Sequence, residues 1–180
     1  MTQSAKTAAT LAVLLVLLLV GVLVGWSALT QPLPTAEDST SDGPCQEQDI
    51  AAGEQVRRGM VTVSVFNAGT RGGLAEKTLG ALVRTGFGAG ETGNADREVS
   101  VKRAAVWTTD KRDPAAILVR RTLGRDRTKL VEKPADQLEG VGVMVLVGNK
   151  FDKLADGPRQ VTSQIDTTIC VPNDPVAQAG

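Results

Sequence analysis

Apolar residues fill the positions from Ala8 to Leu29 except for Thr10, Gly21, Gly25 and Ser27, and no charge interrupts these 22 residues. As helix, a run of that length crosses ~30 Å of hydrocarbon. A soluble core helix carries a polar face, and this run has none. It exceeds the ~7–15 apolar residues of a cleaved signal peptide, and the nearest small-x-small site has Trp26 where a small residue is needed. The pattern therefore predicts a retained single-pass anchor over residues 8–29. Lys6 precedes it, whereas Glu37, Asp38 and Asp42 follow. The positive-inside bias then places residues 1–7 in the cytoplasm and everything after the span outside it, with Trp26 at the outer interface.

Beyond the run the pattern turns polar. Pro32, Pro34, Thr35 and Ser39 open a stretch that reads as a flexible stalk over residues 30–56. From Met60 the apolar positions return with regular periods. Met60–Asn67 alternates Val61, Val63 and Val65 against Thr62, Ser64 and Phe66, the period of a strand. Gly73–Phe87 then sets Ala75, Leu79, Leu82 and Gly86 at helical spacing, with Glu76, Lys77 and Arg84 to solvent. Gly88–Asp96 reads as turn-rich, with a short strand or loop near Phe87–Glu91. Strand character resumes over Val99–Thr108. Asp113 as N-cap, Pro114 in the first turn and Gly124 as stop bracket a second helix. Thr128–Glu132 is a short strand, and Val141–Val147 is apolar at every position but Gly142, so it is predicted to be central and covered by helices on both faces.

The order β-α-(β)-β-α-β-β predicts one small α/β domain over residues 57–154, with a mixed sheet of about four to five strands and two helices. Periodicity fades after Asp152, so residues 155–180 read as a tail that frays from Pro172.

Charge changes this picture in one respect. The formal net charge is zero, with 20 basic and 20 acidic residues. Six acidic residues and no basic one lie between Thr30 and Gln55, whereas Arg57–Arg159 holds 19 basic against 12 acidic, a net of +7. An acidic stalk thus leads into a basic domain. Cys45 and Cys170 flank that domain. Outside the cytoplasm such a pair is expected to form a disulfide tethering the tail, whose loop closure is worth at most ~4–5 kcal/mol in the chain-entropy model.

Candidate chemistry is sparse. The chain has no histidine, which removes the commonest general base and metal ligand. No serine lies in a nucleophile-elbow pattern, and the carboxylates are scattered. No catalytic residue, metal site or cofactor is expected. The loop Asn67–Gly73, with Asn67, Gly69, Thr70, Arg71, Gly72 and Gly73, sits between a strand and a helix, where backbone amides can cradle an anion. Its glycines equally serve a tight helix entry. Val145–Leu154 contains N-K-x-D after an apolar strand, as in guanine recognition, but GGLAEKT lacks the phosphate-loop glycine and lysine. Asn149, Lys150 and Asp152 therefore read as a strand-end turn, and no nucleotide or nucleic acid is expected as partner. Lys102 and Arg103, Lys111 and Arg112, and Arg120–Lys129 form basic clusters able to meet anionic polymer or lipid head groups, or simply to face solvent.

Val63, Val65, Asn67, Gly69, Gly73, Leu74, Ala75, Gly86 and Phe87 carry a pattern that resembles the LytR C-terminal domain family. That family's hallmark is a V-x-V-x-N strand, a glycine, and G-L-A opening a helix that closes on G-F. The likeness continues through Ala104–Gly124 and Val141–Leu154, and spans about residues 59–154. In that family the domain follows the phosphotransferase module of LytR, CpsA and Psr proteins, or stands alone behind one transmembrane helix in high-GC Gram-positive bacteria. This chain resembles the second type. The resemblance implies a role in the cell envelope and no particular activity. The expectation is a membrane-anchored, extracytoplasmic, non-catalytic binding or accessory module associated with cell-wall glycopolymer assembly, its partner an anionic cell-wall polymer or a protein of wall assembly. The alternatives are an interaction subunit of a membrane complex, with an envelope protein as partner, and an enzyme on phosphate-bearing envelope precursors.

Overall fold

A computed structural model of the chain describes residues 45–173, with Leu18 besides. The expected anchor over 8–29, apart from Leu18, the first part of the stalk and the extreme C-terminus lie outside the described residues. No helix among the described residues is long and apolar enough to cross a membrane.

Residues 45–173 hold nine strands and two α-helices: β1 (Cys45–Ile50), β2 (Gln55–Arg57), β3 (Thr62–Asn67), α1 (Leu74–Arg84), β4 (Gly88–Asn94), β5 (Ala104–Thr108), α2 (Pro114–Gly124), β6 (Thr128–Glu132), β7 (Val143–Val147), β8 (Gln160–Thr162) and β9 (Thr167–Pro172). Five strands form one mixed sheet in the order β4-β3-β7-β5-β6. β3 runs parallel to β4 and β7, β5 runs parallel to β6, and β5 meets β7 antiparallel. Two β-α-β units, β3-α1-β4 and β5-α2-β6, therefore lie on either side of β7. The expected mixed sheet with two helices is present, and the apolar strand predicted to be central is central.

Both faces of β3 and β7 are buried along their whole length. On one face Val63, Val65, Val143, Val145 and Val147 pack with Leu79 and Leu82 of α1 and with Leu118, Val119 and Leu123 of α2. On the other face the expected helical cover is absent among the described residues: Phe66, Ala105, Met144 and Leu146 pack under Val99, Val101, Trp107 and Leu138 instead, because both β-α-β units place their helices on the first face. Ser64 is tolerated in this dry strand because its hydroxyl is saturated. It accepts from the N–H of Glu91 and of Val141, both at 3.0 Å, and donates to the Val141 carbonyl at 2.7 Å.

The helices end as their sequences dictate. Asp113 caps α2, its Oδ1 accepting from the Ala115 N–H at 2.9 Å, and Pro114 occupies the first turn. Gly86, expected on the face of α1, instead lies past its end at φ +100°, a left-handed stop. The Arg58 guanidinium fastens this corner. It donates to the carbonyls of Thr85, Gly157 and Pro158 and lies 5.7 Å from the Phe87 ring centroid.

Further sequence expectations are corrected. The first concerns Gly88–Asp96: it is a full edge strand over Gly88–Asn94, not a turn. Its glycines answer to close neighbours. A Cβ on Gly88 would meet the Pro172 ring, one on Gly90 would lie 2.5 Å from Ser64 Oγ, and one on Gly93 would lie 3.0 Å from Phe66. The second concerns the expected stalk, which ran to residue 56. β1 and β2 lie within that stretch, with Ile50 and Val56 at the core. The third concerns residues 155–173, which form no loose tail but contribute β8 and β9, pairing antiparallel with β2 and β1. These short strands have few inward positions and pair over long range, so no local period marks them. The strand expected from Val99 begins at Ala104.

Cys45 and Cys170 are joined as a disulfide, with their Cα atoms 5.4 Å apart. The bond staples β1 to β9, and Ile169 and Val171 of β9 reach the main core.

Candidate functional site

The loop Asn67–Gly73 is brought together as expected, yet its donors are engaged. The Gly69 N–H donates to Asn67 Oδ1 at 3.0 Å, while the N–H groups of Thr70 and Arg71 donate to Asn149 Oδ1 at 2.8 and 3.2 Å. Asn67 Nδ2 donates to the Arg71 carbonyl at 2.8 Å, and Asn149 Nδ2 donates to Thr70 Oγ1 at 3.1 Å. Even the Arg71 guanidinium turns inward, onto the carbonyls of Asn149 and Phe151. Gly69 is required where it stands, because a Cβ there would collide with the Asn149 side chain. Gly73 enters α1 in the left-handed region at φ +70°. Three amides that would face an anion are thus spent within the protein.

Asn149 comes from the turn that resembles a guanine-recognition motif, and the turn's geometry gives it a different task. On one side Asn149 clamps the Asn67–Gly73 loop. On the other, the Gly148 N–H donates to the Arg103 carbonyl at 2.7 Å and the Lys150 N–H to the Lys102 carbonyl at 2.9 Å. No side chain fits at Gly148, whose Cβ would overlap the Val101 carbonyl. This draws Lys102, Arg103 and Lys150 to one place.

They form one end of a groove of about 1090 Å³ along β5 and β6. Its floor is apolar: Val99, Val101, Ala105, Val131 and the half-buried Trp107. Around it stand eight cations, Lys102, Arg103, Arg120, Arg125, Arg127, Lys129, Lys133 and Lys150, against two carboxylates, Glu98 and Asp126. The fold explains the gathering. α2 delivers its basic C-terminal turn beside the start of β6, where Arg120 Nε donates to the Thr128 carbonyl at 3.0 Å. β6 alternates, so Lys129 and Val131 share the face of Ala105 and Trp107.

Three of the eight cations are engaged. Arg120 is held by backbone carbonyls, Arg127 lies 3.9 Å from Asp152, and Lys133 donates to Gln137 and stands 4.7 Å from the Trp107 ring centroid. Lys102, Arg103, Arg125, Lys129 and Lys150 take part in none of the three ion pairs among the described residues. Like charges held together over a low-dielectric floor raise the local potential and attract an anion. The clusters at Lys102 and Arg120–Lys129 were visible in the sequence. Their union with Lys133, Lys150 and Trp107 was not, because it depends on the strand order; Lys111 and Arg112, a third cluster, lie elsewhere and pair with Glu132 and Asp110.

A mixed sheet with two β-α-β units about a central strand, closed at one turn and basic along one edge, defines a small α/β domain with a single main core. Residues 60–151 match the family model LytR_C, described as LytR cell envelope-related transcriptional attenuator. The chain belongs to this family, and its domain is cell-envelope related. The match contains both β-α-β units and the whole groove, whereas β1, β2, β8, β9 and the disulfide lie outside it. Among curated proteins none matches the chain. Among solved structures, the soluble domain of a conserved hypothetical secreted protein from Mycobacterium marinum is 23% identical, with a TM-score of 0.46, over 59% of this chain and 78% of that one.

Proposed function

We propose that this protein is a membrane-anchored, extracytoplasmic envelope module that holds anionic wall glycopolymer in the β5–β6 groove and catalyses no reaction on it. The observation that carries the reading is the set of five cations, in none of the ion pairs among the described residues, around an apolar floor containing Trp107. Family membership supports the envelope setting. The uncharged run at Ala8–Leu29 supports the anchor, and the disulfide fits an oxidising compartment. The Asn67–Gly73 loop enters this reading as scaffold, since its amides are engaged internally.

Retention of the full-length protein on isolated wall sacculi tests it. Binding at low ionic strength should fade as salt shortens the Debye length from ~10 Å at 0.1 M to ~3 Å at 1 M. The double substitution Lys102→Glu, Lys129→Glu should abolish it. Retention unchanged by either treatment would refute groove binding. The open edge of β6, which pairs only with β5 among the described residues, favours a second reading in which a partner protein adds a strand there. A single stoichiometric membrane partner, crosslinked to β6 and surviving high salt, would establish that reading instead.

A further inference from the structure

The groove along β5 and β6 is unevenly charged. The two strands run parallel, with Ala104 beside Thr128 and Thr108 beside Glu132, so their starts share one end of it. Lys102, Arg103 and Lys150 gather there ahead of β5, and Arg125, Arg127 and Lys129 gather at the start of β6. Arg103, Arg127 and Lys150 also border one small cleft beside Asp152, so these three converge. Two carboxylates, Glu98 and Asp126, line the same groove. Of the eight cations only Lys133 stands at the far end, over the Trp107 ring. The Trp107–Val131 pair lies two residues along from the Ala105–Lys129 pair, ~7 Å at the rise of a strand.

The floor between the ends is of another kind. Val99, Val101, Ala105 and Val131 line it, and their side chains form no hydrogen bonds. Val99, Val101 and Val131 are half-buried, which leaves them within reach of a ligand. Ser100 carries the one neutral hydroxyl lining the groove besides that of the buried Thr128. A sugar unit laid on this floor would strip water from its hydroxyls and find few partners for them, a costly exchange. A hydrocarbon chain laid there gives up no polar contact and removes apolar surface from water. The charged end asks for the reverse. Convergent cations, arginines among them, suit a compact group with several acidic oxygens better than charges strung along a chain.

We propose that the groove takes the anionic polymer by a lipid-linked end: a phosphate or diphosphate seated among the cations at the starts of β5 and β6, with the first part of an apolar chain lying over Val101 and Val131 toward Trp107. The inference rests on the groove reading and deepens it, since the glycan carried on the same phosphate leaves toward solvent. Head groups of a bilayer surface offer the same phosphate but keep their chains in the bilayer, and the test separates the two sources.

The test uses the full chain in phosphatidylcholine nanodiscs, titrated by calorimetry against empty discs with inorganic diphosphate, geranyl diphosphate and polyphosphate. Geranyl diphosphate is expected to bind about tenfold more tightly than inorganic diphosphate. Val101→Thr with Val131→Thr keeps the β-branched shape and should erase that advantage while inorganic diphosphate and polyphosphate still bind. Lys102→Glu with Lys129→Glu should abolish binding of all three. Equal affinity for the two diphosphates, with polyphosphate bound, overturns the lipid-linked end and leaves the groove reading standing. No binding of any phosphate probe overturns both. A preference for geranyl diphosphate without affinity for polyphosphate or wall sacculi supports the phosphate-lipid site and overturns polymer retention. A preference that survives both threonines, with thermal unfolding unchanged, overturns the placement of the chain on this floor. In a separate arm, sedimentation with phosphatidylglycerol vesicles that is abolished by the two glutamates and indifferent to the two threonines assigns the cations to a bilayer surface and overturns the single-lipid site.

Discussion

The two β-α-β units share a plan, strand, eleven-residue helix and parallel strand, and differ in what they leave free. In β3-α1-β4 the loop is closed by Asn149, and the edge strand is glycine-rich, with Pro172 of β9 seated against Gly88. In β5-α2-β6 the edge strand carries Lys129, which joins no ion pair among the described residues, and the helix ends in arginines of which Arg120 is held by backbone carbonyls. The loop with the more suggestive sequence has its donors engaged within the fold. Donor groups make a site only when the fold leaves them unsatisfied, and satisfaction is a property of tertiary contacts.

That contrast can be broken at the first unit. Replacing Cys45 and Cys170 by Ala, or reducing the bond, should lower unfolding free energy by about 3–5 kcal/mol and loosen the cover over β4. Urea denaturation with and without reductant measures the loss, and hydrogen exchange on β4 should rise while that on β6 changes little. A smaller loss, about 1–3 kcal/mol from overpacking, is expected for Gly90→Ala, whose new methyl would press on Ser64 Oγ and on the carbonyls of Val63 and Val141. Asn149→Ala removes the acceptor of two amides. On an exposed loop it should cost about 1–2 kcal/mol, accelerate exchange at Thr70 and Arg71, and leave wall retention intact. If retention is lost with the fold preserved, the loop and not the groove is the site.

The gentlest probe is Asp113 of the second unit. Burial raises its carboxyl, so the folded state holds the proton more tightly than the unfolded chain does. The stability this contributes is present below the ordinary value of 3.8 and is lost as pH rises through the higher folded one. Asp113→Asn keeps the cap without the charge. It should flatten that part of the stability-against-pH profile and change neutral-pH stability by less than about 1 kcal/mol, whereas Asp113→Ala should cost about 0.5–2 kcal/mol. Thermal unfolding from pH 3 to 7 distinguishes them.

Much of the architecture was legible in the residues because local periods and punctuation carry it. The alternation at Val61–Val65, the apolar run at Val141–Val147 and the Asp113–Pro114 start all point to the elements found. β4 was hidden because Gly88, Gly90 and Gly93 resemble turn residues, and only the arrival of Pro172, Ser64 and Phe66 explains them. β1 and β9 escaped because their partners lie over a hundred residues apart. Of the groove, the charges were legible and the floor was not, since Trp107 and Val131 meet only once β5 and β6 pair. Nothing in the spacing of Asn149 announces a clamp; the residue type, able to donate and accept at once, was the only sign.

The covalent link between Cys45 and Cys170 also has a mechanical side. Tension arriving along the chain at Cys45 enters the fold through two strands rather than one, and peeling β1 away would require dragging β9 with it. A domain tugged from its N-terminal end would yield last at the point where it is pulled.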